Sequence, residues 1–161
     1  MTKSRFIALV GALIWRQSDG KYLILQRSEK KDFAAGEWEC VTGRVEHGES
    51  FFEAVRRETQ EELGQDVQVE FLIGTAHFYR GAVTPENETI GVHYACSIKN
   101  PEDILLSKEH TASRWVTAHE IEDMFPAGHW LRKLVNRTEQ MRQLLPEEII
   151  LFNRLNGTDI K

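Results

Sequence analysis

The sequence predicts a mixed α/β fold, and three observations carry that prediction. Residues 50–63 read as a helix with start and stop signals at both ends. Apolar stretches with strand character lie on either side of it, and the last third of the chain changes to helical spacing. At 161 residues the chain fits one domain, 1–161, with enough residues for a substantial core. No internal repeat, low-complexity tract or long linker divides it.

Taken in order, Arg5 to Arg16 and Tyr22 to Gln26 read as strands joined by a turn at Ser18-Asp19-Gly20. Residues 30–36 are polar and read as a loop leading into Trp38. Ser50 then caps a helix running to about Leu63, with Glu53 placed to complete a capping box and Gly64 to end it. Phe52, Val55, Thr59 and Leu63 form its core stripe. Val67 to Tyr79 alternates as a strand, and Pro85-Glu86-Asn87 marks a turn. The alternation of Ile90, Val92, Tyr94, Cys96 and Ile98 gives the next strand, closed by a break at Asn100-Pro101-Glu102-Asp103. Ser113 to Val116 is a short strand and Thr117 to Met124 a short helix. Trp130, Leu131, Leu134, Val135, Met141 and Leu144 recur at helical intervals, and a C-terminal helix lies beyond Pro146.

The chemistry concentrates in Arg57-Glu58-Thr59-Gln60-Glu61-Glu62. Residues three and four apart on a helix are neighbours, so Glu58, Glu61 and Glu62 crowd onto one face and repel one another. A divalent cation would relieve that repulsion, and hard oxygen donors select Mg²⁺, with Mn²⁺ possible, over zinc. Taken alone, three helical carboxylates more often mark a solvated acidic face. The net charge of −5 argues against binding nucleic-acid duplexes or anionic membranes. Cys40 and Cys96 lack metal-type spacing and read as reduced core thiols. No apolar run approaches a membrane span, and the N-terminus lacks a secretory pattern, so a cytoplasmic location is the expectation.

The stretch from Gly43 to Gln65, G-R-V-E-H-G-E-S-F-F-E-A-V-R-R-E-T-Q-E-E-L-G-Q, resembles the Nudix box. The matching positions are Gly43, Glu49, Arg57, Glu58, Glu61, Glu62 and Gly64; the departures are Thr59 and Gln65, where the family favours aliphatic residues. The element order is likewise similar to the Nudix fold, a mixed β-sheet sandwiched between α-helices. The resemblance implies hydrolysis of a phosphoanhydride bond in a nucleoside diphosphate-linked or nucleotide-like triphosphate substrate. It implies metal ligation by the Gly43 carbonyl and by Glu58, Glu61 and Glu62. Glu49 and Arg57 would pair to fix the loop against the helix. Glu58 or Glu109 would take the proton from water, Glu109 serving otherwise as a further ligand, and Glu62 would be needed for turnover.

Leu23-Ile24-Leu25-Gln26-Arg27 resembles the family strand whose arginine reaches substrate phosphate, which a planar guanidinium suits; the alternative for Arg27 is a solvated strand-end residue. Val41-Thr42-Gly43 is similar to the version in dihydroneopterin triphosphate pyrophosphohydrolases. Ser107-Lys108-Glu109-His110 is similar to those and to diadenosine tetraphosphate hydrolases. His110 could orient Glu109, although a surface position is commoner, and His93 could face core or substrate. Trp115 reads as core. The competing class is a catalytically silent nucleotide-sensing domain, against which stands the full set of box carboxylates. A metal-dependent isomerase on the same fold would need a cysteine near the substrate, and Cys40 is the only one near the box. The family also implies a possible homodimer.

Overall fold

The computed structural model describes residues 5–160, so the ends of the 1–161 domain reading lie outside the described residues. The strands form a seven-stranded mixed sheet with the first strand as its hub. β1 (Ile7–Arg16) runs parallel to β6 (Glu88–Ile98) from residue 7 to residue 14. Along its other edge it changes partner. Leu9 to Ala12 pair antiparallel with β4 (Val41–Arg44), whereas Trp15 and Arg16 pair with β2 (Lys21–Arg27). β2 continues the sheet to β3 (Trp38–Glu39) and also pairs with β7 (His110–Val116). β5 (Val67–Tyr79) forms a long hairpin with β6.

Side chains alternate across a strand, so β1 feeds two cores. Val10, Ala12 and Ile14 pack with Val55 and Leu63 of α1 (Phe51–Leu63) on one face. Leu13 packs on the other with Ile121 of α2 (Ala118–Met124) and with Leu131 and Val135 of α3 (Trp130–Leu144). The sheet therefore lies between helices, as the Nudix resemblance implied. Phe52, Val55, Thr59 and Leu63 face inward, with Phe52 only half-buried.

Most elements follow the sequence reading, with differences at strand ends. β1 begins at Ile7 rather than Arg5, and β7 begins at His110 rather than Ser113 because Arg27 on β2 offers it a partner. β3 and β4 are too short to show alternation, and their extended state comes from pairing to β2 and β1. Trp115 is half-buried against the first core, with the Arg16 guanidinium 4.5 Å from its ring centroid.

The C-terminal helix, α4 (Glu147–Asn156), docks on β5 through charge. Glu70 of β5 is fully buried and pairs with Arg142 of α3 at 2.7 Å and with Arg154 of α4. The Glu70 carbonyl also accepts a hydrogen bond from the Asn153 amide at 2.7 Å, and Arg142 stacks on Trp15, 3.8 Å from its centroid. Removing one partner of such a buried cluster strands the others' charge in low dielectric. Glu70→Ala is therefore expected to cost about 3–5 kcal/mol of stability, read as a lowered urea midpoint; a loss below about 1 kcal/mol would mean that the two arginines find water instead.

Candidate active site

The site is built on α1, whose ends are fixed locally. The Ser50 hydroxyl accepts from the Glu53 backbone N–H at 3.1 Å, the Glu53 carboxylate accepts from the Ser50 N–H at 2.8 Å, and Gly64 ends the helix at φ 65°. A cap of this kind is worth about 1 kcal/mol. It also sets the rotation of the helix, sending Val55, Thr59 and Leu63 to the core and leaving Glu58 and Glu62 along the boundary. Glu62 is only 3% exposed. The segment ahead of β7 covers it, with the Leu105 N–H donating to the Leu63 carbonyl at 2.9 Å and the Ser107 N–H to that of Glu62 at 3.0 Å.

Arg57 organises the acids. Its guanidinium holds Glu49 in two bonds, 2.6 and 3.0 Å, and donates to the Arg44 carbonyl at 2.8 Å. Its remaining nitrogen reaches Glu58 at 2.7 Å and Glu61 at 3.3 Å. The fork thus ties the 43–49 loop to the helix while lying against two of the three box carboxylates. Glu61 is 59% exposed on its side chain and faces water.

Electrostatics separates these acids. Burial pushes the Glu62 carboxyl well up, helped by the charges of Glu39, Glu58 and Glu109. Burial also raises Glu58, against the pull of Arg57. Glu109 behaves in the opposite way: its bond to Lys31 holds it low, and its side chain is 57% exposed.

Three observations fit a hard cation to this donor set. Glu62 Oε2 is buried and without a hydrogen-bond partner. A Cβ on Gly43 would overlap the Glu58 carboxyl group, so glycine leaves that carboxylate room against the backbone. Carboxylate and carbonyl oxygens are the donors that Mg²⁺ and Mn²⁺ take. Among the described residues no three ligating side chains already stand in coordination geometry, and Glu58 and Glu61 are instead turned to Arg57.

Next to the acids, Arg27 donates to both Glu39 oxygens at 2.8 and 3.0 Å and to the Phe33 carbonyl at 3.0 Å. Glu39 also accepts from the Thr42 hydroxyl at 2.8 Å and pairs with His110 Nε2 at 3.0 Å. His110 is therefore buried and bonded to Glu39, so neither alternative drawn from the sequence, orientation of Glu109 or a surface position, holds. A groove of about 600 Å³ runs past these residues; Glu58, Glu61, Gly43 and Glu109 line it on one side, and Arg27, Arg44 and Arg80 face it. Cys40 lies fully buried with its thiol pushed well up by burial, which leaves the isomerase reading without an available thiol. Cys40 and Cys96 are both free.

Residues 6–138 match the NUDIX domain family. The chain belongs to the Nudix family. The dihydroneopterin triphosphate diphosphatase of Escherichia coli (strain K12) is 32% identical over 120 residues, 66% of this chain and 75% of the relative. The asymmetrical bis(5'-nucleosyl)-tetraphosphatase of Caenorhabditis elegans is 29% identical over 135 residues, 79% of this chain and 93% of that one. Among solved structures, the MutT protein of Methanosarcina mazei Go1 superposes with a TM-score of 0.74 at 28% identity, over 89% of this chain and 99% of that one. The chain is a Nudix pyrophosphohydrolase.

His93 and Trp130 also line the Nudix groove, although neither was among the site residues expected from the sequence. Strand periodicity left the face of His93 open, and Trp130 read as one more apolar helical position. His93 is 7% exposed, and burial lowers its imidazole to about 4 from the usual 6.5. Between those two values the unfolded chain takes up a proton that the folded chain refuses. Stability is therefore complete above pH 6.5 and falls as pH drops toward 4, by about 3 kcal/mol in total from this residue. Urea midpoints at pH 7.5 and 4.5 should shift the stability gap between wild type and His93→Leu by roughly that amount in the variant's favour; a gap independent of pH would show that water reaches the imidazole.

Proposed function

We propose that this Nudix pyrophosphohydrolase cleaves a phosphoanhydride bond in a nucleotide-like triphosphate or a diphosphate-linked nucleoside. It would do so with Mg²⁺, or Mn²⁺, held by the Gly43 carbonyl and by Glu58, Glu61 and Glu62. The observation that carries the reading is Glu62, a buried carboxylate with an unpartnered oxygen, coupled by charge to Glu58 and Glu109, which line the groove. A divalent cation there supplies positive charge to the phosphate oxygens and makes water more acidic.

The chain's own residues do the rest. Glu58 stands against Gly43 in the groove wall and is assigned as the acceptor of the water proton. Glu109, held as an anion at the exposed rim by Lys31, is assigned to ligation or to ordering of water. Arg27 presents its guanidinium to the groove, oriented by Glu39, where a planar fork suits phosphate oxygens. Arg57 fixes the loop that bears the Gly43 carbonyl. The substrate class rests on the groove and on the relatives, whose names describe a pterin triphosphate and a dinucleoside tetraphosphate, each a polyphosphate joined to a heterocycle.

Glu62→Gln should retain the fold by circular dichroism and lose on the order of a hundredfold or more in turnover with Mg²⁺. The assay is a hydrolysis panel read by mass: dihydroneopterin triphosphate, nucleoside triphosphates, diadenosine polyphosphates, ADP-ribose and nucleotide sugars. Near-wild-type turnover in that variant would remove the site as proposed. Binding of a panel member without any cleavage by wild type would favour the sensing domain. A second comparison separates the two acids: Glu58→Gln should lose more of kcat than Glu109→Gln, and the reverse order would transfer the proton to Glu109.

A further inference from the structure

The strap that joins β2 to β3, residues 28–36, runs along the groove beside the box acids, with Lys31 to Ala34 among the residues that line it. It is fixed at both ends. The Ser28 N–H donates to the Glu109 carbonyl at 2.8 Å, and the Gly36 N–H to that of Arg27 at 3.1 Å. Between them the Phe33 carbonyl accepts from Arg27 Nε at 3.0 Å. The Phe33 ring stacks on Phe78 with centroids 6.4 Å apart, and the Arg80 guanidinium lies 5.1 Å from its centroid. Bonds at the ends and an aromatic contact in the middle leave the side chain of Lys31 as the part that can move.

Two cationic side chains bond to Glu58, Glu61 and Glu109, and their freedom differs. Arg57 reaches Glu58 and Glu61, but Glu49 and the Arg44 carbonyl also hold it in place. Lys31 has one side-chain bond among the described residues, to Glu109. Its charge also reaches Glu62: burial pushes that carboxyl up, and the Lys31 ammonium pulls against it. The ammonium therefore compensates two of the site's acids, one by contact and one at a distance. A lysine is a compact charge on a flexible four-carbon stem, so rotation alone can carry it from one anion to another. The guanidinium of Arg57, fixed by several bonds, has no such freedom.

We propose that Lys31 is a substrate-binding residue that couples cation and phosphate binding: before substrate arrives its ammonium holds Glu109, and with substrate present it releases Glu109 to the divalent cation and turns to a phosphate oxygen. The exchange keeps charges matched at each stage. Glu109 trades an ammonium for a cation, while the ammonium trades a carboxylate for a phosphate. A bare cation must compete with Lys31 for Glu109; a cation that comes with phosphate need not. Lys31 thus opposes loading of the cation alone and favours loading of the cation with polyphosphate, a coupling between two ligands through one side chain. The inference rests on the metal-dependent hydrolase reading of the same groove.

The test is binding, read without turnover. Mn²⁺ alone is titrated by its paramagnetic effect on water protons. Methylenediphosphonate, a diphosphate analogue whose carbon bridge cannot be hydrolysed, is titrated by calorimetry at saturating Mg²⁺. Lys31→Met should bind Mn²⁺ roughly threefold tighter and the diphosphonate about tenfold more weakly. In a Glu109→Gln background the gain for Mn²⁺ should vanish while the loss for the diphosphonate persists. Lys30→Met removes the same charge from the exposed neighbouring position and should change neither affinity. Unchanged affinities in Lys31→Met, shifts of the same sign, or equal shifts in Lys30→Met overturn the proposal. A Mn²⁺ gain that survives Glu109→Gln overturns it as well. Failure of the hydrolase reading itself shows elsewhere: wild type would bind no Mn²⁺, and Glu62→Gln would lose no turnover.

Discussion

The site depends on one guanidinium. Arg57 binds the carboxylate of Glu49 in two bonds, a loop carbonyl at Arg44 in a third, and Glu58 and Glu61 with its remaining nitrogen. An ordinary surface ion pair contributes little to stability, because water competes and two side chains must be ordered. Here the donors are fixed in a plane, one acceptor is backbone, and the loop being held carries the glycine against which Glu58 packs. The contribution lies in position more than in energy. Without the fork, helix and loop would still exist, but the distance between the Gly43 backbone and the acidic face would be free to vary.

Charge in the groove is divided by position. Acids of α1 and the segment before β7 form one wall, while Arg27, Arg44 and Arg80 face the same space. Burial lowers the Arg80 guanidinium from its usual value, and the nearby charge of Arg44 lowers it further. A polyphosphate entering here would meet arginines that attract it and acids that repel it.

What the sequence reveals and what it hides divide along physical lines. α1 was legible because its signals are local: Ser50, Glu53 and Gly64 act within one turn of each end, and the box carboxylates share a helical face by spacing alone. β3 and β4 were not, because strands of two and four residues have no periodicity to read and owe their shape to partners. Glu39 and His110 meet across 71 positions, and nothing near either residue announces the other. His93 fell between these cases. Its strand was evident from the alternation around it, but the room for its ring depends on Gly11 in another strand, where a Cβ would overlap it.

The Glu70 cluster bears on how far the recognisable part of this protein extends. The stretch shared with the Nudix family closes at residue 138, within α3. Yet Glu70, at the middle of that stretch and sealed from water, is neutralised by Arg142 and Arg154, both of which lie past it. The inherited module is therefore not electrically self-contained. Its one buried carboxylate on β5 is held by arginines supplied from the segment that follows, so the two stretches fold as one electrostatic unit.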